Sequence, residues 1–535
     1  MKPLKANPDA LDVEARRTMW RRLGAFVAMF PVCWGYQSPI PTDWDAWDYS
    51  AQAIQGHSSD LLLGRWYHIA VMRGAYLVGS IQGQISLLDA YTVMQSVNMA
   101  LMAGAVAVGM AWTRRLTGSA AAEVVFALLF LTGPMFGIYG SSIMTEPLAL
   151  LTIALGFWAW QRGIQAERRN ALWALLAGAL LGVAINIREP ALLLAAWPVV
   201  SVFAQKPRNR WAMLAAAAGG ALATLGFGVL MAWAWYPVGY TGRTYWQNIA
   251  GWTASMSEER QQFAIQPPRQ LLLVAQFALA AAPVAAVLAL PAGIWAARKR
   301  TPTAWLAVGS LPYLLIVLVN HDLAVNPRFI MPWLWVLGPV VAHAVAAVCV
   351  ERGRNVARNL LITMAVILGL GLGTLAVGWS QLQRYHFGYV RQMARAYEAL
   401  WNIRSDAVII AGPATPIAYH FNRLEIKDFR VIGSTWDWPR AAEDQTPAEA
   451  LAERIEEARN QRRPLWVNMD AKMWALVNRE SGEFETVQQV AEQFLQVQRK
   501  GYWPMVLWIG LSDSQLPGDN DPQDTEGPSL VAPSD

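Results

Sequence analysis

The chain has 535 residues, of which 55% are apolar and only 15% are charged. Soluble proteins carry about a quarter charged residues, so this composition excludes an ordinary soluble protein. The net charge of +5 comes from basic loops between apolar runs and is no argument for a nucleic-acid partner. The two cysteines both lie inside apolar runs, which argues against a disulfide framework.

Apolar runs of about 18 or more residues recur along most of the chain and predict an α-helical polytopic membrane protein. The first run follows Arg16, Arg17, Arg21 and Arg22 and is interpreted as a retained signal anchor. We predict about eleven transmembrane helices. In chain order they are 22–40, 87–112, 119–138, 143–161, 171–187, 190–205, 211–235, 271–296, 303–320, 328–350 and 359–380.

The basic residues between these runs alternate so that most of them fall on one side of the membrane. They cluster at 114–115, 162–169, 206–210, 298–300 and 352–358. Positively charged loops stay in the cytoplasm, so the N-terminus is predicted inside and the C-terminal region outside. The prediction is a multi-pass protein of the cell's inner (plasma) membrane with a periplasmic C-terminal domain.

Residues 61–81 are nearly long enough to cross the membrane but are not counted as a span. Arg65, His68, Arg73 and Ser80 fall on one arc at helical spacing. This pattern is typical of a helix that lies in the membrane interface with its apolar face in lipid.

Three soluble segments are predicted outside. Two are loops of a transmembrane domain formed by 1–380, namely 41–86 with interfacial helices and 236–270. The third is 381–511, where four β-rich runs alternate with helix-like stretches and predict a small α/β domain with a mostly parallel sheet. Residues 512–535 are rich in Pro and Asp, which predicts a disordered acidic tail. The β-rich runs are AVIIAG, FRVIG, PLWVNM and MVLWIG.

Three carboxylates, Asp43, Asp45 and Asp48, stand in the stretch PTDWDAWDYSAQAIQG at the outer end of the first span. Two interpretations stay open. They are either solvated acids beside interfacial tryptophans, or they form a functional site, since charges at membrane depth are costly and usually functional.

A helix over 44–56 would place several polar side chains of this stretch on one face. Asp43 would precede the helix as an N-cap, and Asp48 would point to one side. A carboxylate and a tyrosine hydroxyl would share a single face. The residues on that face are Asp45, Tyr49, Ala53 and Gly56.

Arginines also lie at the predicted outer rim. Arg188 stands in a very short turn between two spans, Arg328 begins a span, and Arg243 lies in an aromatic-rich loop. They either reach to lipid headgroups or hold an anionic headgroup in a site, because the guanidinium fork matches phosphate oxygens. Glu146 lies near the same rim and is predicted to be an interhelical hydrogen-bond partner.

The chain contains four motifs in this order: DAWDYSAQAIQG, MTEPLALLTIALGFWAW, INIREPALLLAAWP and NPRFIMPWLWVLGP. They resemble motifs of the GT-C superfamily of membrane glycosyltransferases, over roughly residues 20–350. The chain is most similar to the branch of bacterial aminoarabinose transferases and protein O-mannosyltransferases. Two departures stand out: Ala46 follows Asp45 where many relatives have a second acid, and no Pro-Pro-rich stretch follows the first loop.

The resemblance implies an inverting glycosyltransferase that moves a sugar from a polyprenyl-phosphate donor to a glycan, lipid or protein acceptor at the outer face. A carboxylate acts as general base and arginines stabilise the leaving phosphate. No cofactor is required by the sequence, and a divalent metal at the first-loop acids stays open. The assigned residues are Asp45 as base with Asp43 and Asp48 in support, Arg328, Arg188 and Arg243 for the donor phosphate, and Tyr49, Glu146, Arg65 and His68 as further site candidates.

Two other classes are weighed against this one. A transporter or lipid flippase would place charged residues near mid-span, with broken helices in repeated halves. A non-catalytic membrane scaffold would not need acids and arginines on the same rim. Convergence of Asp45, Arg188 and Arg328 on one outer cavity would favour the transferase.

Overall fold

The structure is a computed structural model of the chain. It describes residues 8–57, 65–81, 83–166, 168–235, 267–320, 323, 327–352, 355–410, 412–432, 449, 452–453, 456, 460, 465–468 and 506–509. Arg243, most of the predicted loop 236–270 and the predicted tail 512–535 lie outside the described residues.

Helices form most of the described chain. The α-helices are α1 Pro8–Trp34, α2 Trp44–Gln55, α3 Trp66–Gly79, α4 Leu87–Thr117, α5 Ala120–Leu131, α6 Pro134–Ser141, α7 Glu146–Gln165, α8 Asn170–Ile187, α9 Ala196–Gln205, α10 Arg210–Ala234, α11 Pro267–Ala281, α12 Pro283–Arg298, α13 Pro302–Asn320, α14 Met331–Val345, α15 Val356–Leu382, α16 Gly388–Asn402 and α17 Thr415–Arg423. Short 3₁₀ helices cover Glu189–Ala195, Pro327–Ile330 and Gly412–Ala414, and π-helical turns cover Ala346–Val350 and Gln383–Phe387.

Every predicted apolar run coincides with a helix or a pair of helices. By length and composition, six helices of the described residues can cross a membrane, or up to eight if each bent pair is one span. The pairs are α5 with α6, bent by 69°, and α11 with α12, bent by 119°. Both breaks precede a proline, Pro134 or Pro283, which lacks the N–H that would continue the preceding helix. A multi-pass α-helical architecture is confirmed, whereas the count of eleven spans stays a prediction.

Helix α3 covers the stretch that was predicted to lie in the interface. Its 14 residues are too few to cross about 30 Å of hydrocarbon. His68, Met72 and Ala75 share its buried face because they recur at intervals of four and three residues. That face packs against α8 and α10, while Val78 is exposed. The polar arc therefore turns His68 into the protein.

The chain folds into two compact units. The first contains Met1–Gln37, Gly56–Gly79 and Val93–Gly378, and the second contains Ser38–Gln55, Ser80–Thr92 and Trp379–Asp535. Contacts at the centre of the first unit are aromatic: Trp335 packs on Phe126 and Phe130 with ring centroids 5.0 and 4.6 Å apart. Gly338 allows this approach, since a Cβ there would stand 2.6 Å from the Phe126 ring.

Apolar side chains on α15 are largely exposed, which is typical of a helix that faces lipid. Leu372 and Val377 are 65% and 86% exposed. If these side chains faced water instead of lipid, each exposed methylene would cost about 0.8 kcal/mol.

In the second unit four strands form one sheet with the order β2-β1-β3-β4. The strands are β1 Val408–Ile410, β2 Arg430–Ile432, β3 Leu465–Asn468 and β4 Val506–Ile509. All four predicted β-rich runs thus contain a strand. β1 pairs parallel with β2 and β3, and β3 pairs antiparallel with β4. The pairings agree with the predicted mostly parallel sheet. The boundaries 381–511 of a separate domain stay a prediction, as do the other predicted domain limits.

Candidate functional site

Three helix ends of the first unit bring Glu146, Arg188 and Arg328 together. Glu146 is the first residue of α7, where the positive end of the helix dipole favours a carboxylate. Arg188 directly follows α8, and its extended backbone leads into the 3₁₀ helix that begins at Glu189. Arg328 lies in the 3₁₀ turn before α14. The sequence places each side chain at a point where regular helix begins or ends.

These three side chains form a buried ion cluster. Arg188 Nη1 donates a hydrogen bond to Glu146 Oε1, and Arg328 Nε lies 3.6 Å from the same oxygen. The Glu146 side chain is fully buried, and those of Arg188 and Arg328 are 5% and 11% exposed. Two guanidinium groups thus meet at one carboxylate oxygen. Guanidinium groups attract anions, and a planar guanidinium fork matches the oxygens of a phosphate.

Neighbouring side chains hold the two guanidinium groups in place. The Arg188 guanidinium lies over the Phe329 ring, 4.3 Å from its centroid. The Tyr313 hydroxyl donates to the Phe329 carbonyl at 3.0 Å, and Arg328 Nη1 lies 3.7 Å from Met144 Sδ. Among the described residues, Arg188 Nε and Nη2 are buried and have no hydrogen-bond partner. These two N–H groups can therefore donate to a phosphate.

Two further predicted site residues lie in this unit. His68 is fully buried, and burial lowers its pKa to about 3, against the opposing effect of the Glu146 carboxylate. The imidazole is therefore neutral at neutral pH. Arg65 Nε lies 3.8 Å from Glu189 Oε1, at a carboxylate that is 44% exposed.

The structure thus confirms Glu146 as an interhelical hydrogen-bond partner and brings Arg188 and Arg328 to it. Tyr313, Phe329 and Met144 were not predicted from the sequence. Phe329 could have been predicted from the sequence, since it directly follows Arg328. Tyr313 could not, because it is a single tyrosine in an apolar run.

In the second unit, α2 begins at Trp44 directly after Asp43, which confirms the predicted helix. The Asp43 carbonyl accepts the Trp47 N–H at 3.1 Å, as an N-cap residue does. Asp45 is half-buried in the first turn, and Tyr49 on the same face is fully buried. Asp43 lies close enough to Tyr389 to raise the pKa of that hydroxyl, after the larger effect of burial.

Asp48 is buried and bound to the C-terminal part of the unit. Arg423 Nη1, at the end of α17, donates to Asp48 Oδ1. Gln52 Nε2 donates to Asp48 Oδ2 at 2.5 Å, and Arg423 Nε donates to Gln55 Oε1 at 3.2 Å. A carboxylate with these partners holds α2 and α17 together.

His420 makes a second link between α17 and α2. Its Nδ1–H donates to the Trp47 carbonyl at 3.0 Å, and the Tyr91 hydroxyl donates to its Nε2 at 2.6 Å. Both contacts fit the neutral ring, and burial lowers the pKa of His420 to about 3. Arg423 and His420 were not predicted, because more than 370 residues separate them from α2.

The predicted convergence of Asp45 with Arg188 and Arg328 stays a prediction, since Asp45 belongs to the second unit and the arginines to the first. Among the residues that the structure describes, no group of three or more His, Cys, Asp or Glu side chains could hold a metal ion.

We compared the chain with protein-family sequence models, with curated protein sequences and with solved structures. Residues 46–237 match the sequence model of the dolichyl-phosphate-mannose-protein mannosyltransferase family. No curated protein sequence is similar enough to be matched. Among solved structures, ArnT from Cupriavidus metallidurans bound to undecaprenyl phosphate is 12% identical with a TM-score of 0.52, and the match covers 91% of this chain and 97% of that one.

A second structural relative is the oligosaccharyltransferase of Archaeoglobus fulgidus. It is 12% identical with a TM-score of 0.52, and the match covers 93% of this chain and 75% of the archaeal protein. The same enzyme, AglB, matches with a TM-score of 0.51 in its complex with an inhibitory peptide and a dolichol-phosphate. At this identity the two structures show a shared fold. Together with the family match over residues 46–237, that fold agrees with the predicted resemblance to the GT-C superfamily of membrane glycosyltransferases.

Proposed function

We propose that the protein is an inverting glycosyltransferase that moves a sugar from a polyprenyl phosphate to a hydroxyl acceptor at the outer face of the membrane. The acceptor is a glycan, a lipid or a protein. The donor class is supported by the matched family, which is named for dolichyl-phosphate-mannose. It is also supported by the two structural relatives, which were solved with undecaprenyl phosphate and with dolichol-phosphate.

One observation carries the proposal: in the buried cluster of Glu146, Arg188 and Arg328, two buried N–H groups of Arg188 have no acceptor among the described residues. A phosphate oxygen accepts such N–H groups in the geometry that a guanidinium offers. Its negative charge is attracted by the positive charge of the guanidinium group. We therefore assign the cluster to the donor phosphate and keep Arg243 as a further candidate from the sequence.

The proposed reaction is a single displacement. The acceptor oxygen attacks the anomeric carbon while the bond from that carbon to the phosphate oxygen breaks, and the phosphate leaves with the electron pair. Asp45 takes the proton of the acceptor hydroxyl. The arginines stabilise the charge that grows on the leaving phosphate. Attack opposite to the leaving group inverts the anomeric carbon.

The two alternatives fit these observations less well. A transporter would carry its charged residues near the middle of the spans, whereas Glu146, Arg188 and Arg328 all lie at helix ends. A scaffold gives no reason for buried N–H groups of Arg188 that have no acceptor among the described residues, since such groups lower stability.

Replacing Arg188 with lysine is expected to weaken binding of undecaprenyl phosphate about ten- to hundredfold, because the charge stays but the fork is lost. Arg328→Lys should weaken binding in the same direction and lower donor turnover, with normal membrane insertion. Ligand-induced thermal shift of the purified protein measures affinity. Arg298→Lys, at an exposed helix end, is the matched control. Wild-type affinity in both Arg188→Lys and Arg328→Lys would remove the cluster from the donor site.

A cysteine at position 529 is expected to react with a membrane-impermeant thiol reagent on sealed cells, since the arginine distribution predicts an outer C-terminal region. In a Gram-negative host the outer membrane is permeabilised first. The background should carry Cys349→Ser, because Cys349 is the exposed native thiol among the described residues. Protection of position 529 until the cells are lysed would reverse the topology.

A further inference from the structure

We infer that Glu146 sets the charge selectivity of the donor site, so that the spent carrier is bound less tightly than the two arginines alone would bind it. This inference rests on the proposed function. The positive charge of Arg188 and Arg328 attracts every phosphate. The carboxylate of Glu146 repels a phosphate in proportion to its charge, and it therefore penalises a doubly charged phosphate more than a singly charged one.

Donor and product differ in this charge. A sugar linked to a polyprenyl phosphate is a phosphodiester with one negative charge at neutral pH. When the bond to the anomeric carbon breaks, the electron pair stays on the phosphate, which becomes a monoester. A phosphate monoester has a second pKa of about 6 and carries between 1.5 and 2 negative charges at pH 7. Transfer therefore raises the negative charge in the site, where tight retention of the product would slow turnover.

Because Glu146 is buried, its negative charge acts strongly on a phosphate bound nearby. Its side chain is fully buried and shares one oxygen, Oε1, between Arg188 Nη1 and Arg328 Nε. Water does not screen such a group as it screens a surface charge. The nearby Arg65 and Glu189 pair has no net charge, and the buried His68 ring is neutral. Glu146 is thus the buried anion of this cluster whose repulsion a bound phosphate meets.

The hydrogen bond between Arg188 and Glu146 also determines which N–H groups of the Arg188 guanidinium remain for a ligand. Nη1 is directed to Glu146, whereas Nε and Nη2 have no acceptor among the described residues. A glutamine at 146 keeps an oxygen acceptor for Nη1 and nearly the same shape, but it removes the negative charge. Glu146→Gln therefore separates the charge of the residue from its role in orienting Arg188.

The test compares two lipid probes on the purified full-length protein at pH 8. Undecaprenyl phosphate is the doubly charged monoester, and undecaprenyl methyl phosphate is the singly charged diester. We expect Glu146→Gln to shift the ratio of the two affinities toward the monoester by about tenfold relative to wild type. Inhibition of transfer by added undecaprenyl phosphate should become stronger by the same factor, which can be measured in membranes without purification.

Two variants serve as controls. Glu146→Asp keeps the charge, so the wild-type ratio should be retained within about threefold. Glu189→Gln removes an equal charge nearby, but at a side chain that is 44% exposed, so its effect should be small because solvent screens it.

The outcomes separate this inference from the proposed function. An unchanged ratio in Glu146→Gln, with both lipids still bound, overturns the inference and leaves the transferase proposal standing. The same shift in Glu146→Asp also overturns it, because shape and not charge would then be responsible. If the Gln variant does not survive purification, its inhibition by added undecaprenyl phosphate is measured in membranes, and inhibition as weak as in wild type overturns the inference. A wild-type protein that binds neither lipid overturns the proposed function and the inference together.

Discussion

Replacing Asp45 with asparagine is expected to lower sugar transfer by about 10²–10⁴-fold, the usual cost of losing a general base. Asparagine has nearly the same shape, so the half-buried first turn of α2 should keep its structure. Binding of undecaprenyl phosphate should stay close to wild type, since the proposed phosphate site is formed by Glu146, Arg188 and Arg328. Product formed in membranes of a deletion strain, quantified by mass spectrometry, measures the effect.

The neighbouring acids provide the comparison. Asp43→Asn should cost less, because the backbone carbonyl of Asp43 keeps its hydrogen bond to Trp47. Asp48→Asn should act through protein stability and the amount of folded enzyme, because Asp48 binds Arg423 and Gln52. An inactive but stable Asp48→Asn beside an active Asp45→Asn would assign the base to Asp48. Full activity in all three variants would show that the acids are a solvated rim.

Replacing Arg423 with methionine is expected to destabilise the protein by about 1–3 kcal/mol, the usual cost of leaving a buried polar group without one of its partners. The group left behind is the Asp48 carboxylate, whose side chain is 5% exposed, whereas that of Arg423 is 20% exposed. Methionine preserves most of the volume of the arginine side chain, so the loss reports the charge. Chemical or thermal unfolding of the purified protein measures it.

The chain offers a matched pair for this experiment. Arg404 and Asp406 form an ion pair at 2.5 Å with side chains 61% and 39% exposed. Exposed pairs contribute little, so Arg404→Met should leave stability nearly unchanged. Combining Asp48→Asn with Arg423→Met should restore part of the lost stability, because the uncompensated charge is removed. Equal effects of Arg423→Met and Arg404→Met would contradict a structural role for the Asp48 pair.

Much of the helical part was predictable from the sequence. The apolar runs mark the helices because both the length and the hydropathy of a run depend only on residues close in the chain. Helix α2 and its first residues were predicted in the same way, from Asp43 and the spacing of Asp45 and Tyr49. The bends at Pro134 and Pro283 were not, since proline marks a possible break and packing decides whether the two halves remain straight.

The site was predictable as a set of residue types and not as a set of contacts. Arg188 and Arg328 were selected because arginine at the end of a span suits a phosphate, and Glu146 because a carboxylate there needs a partner. That both arginines meet one oxygen of Glu146 depends on how α7, α8 and the turn before α14 pack. No local pattern encodes that packing.

The sequence by itself therefore determined the membrane class, the helical segments and the four strands, because each follows from composition or periodicity over a short stretch. Only the tertiary structure decided which charges meet. It paired Asp48 with Arg423 across 375 residues and turned His68 into the protein interior. The physical reason is that a buried charge is tolerated only beside its partner, and that partner is brought near by the packing of distant helices.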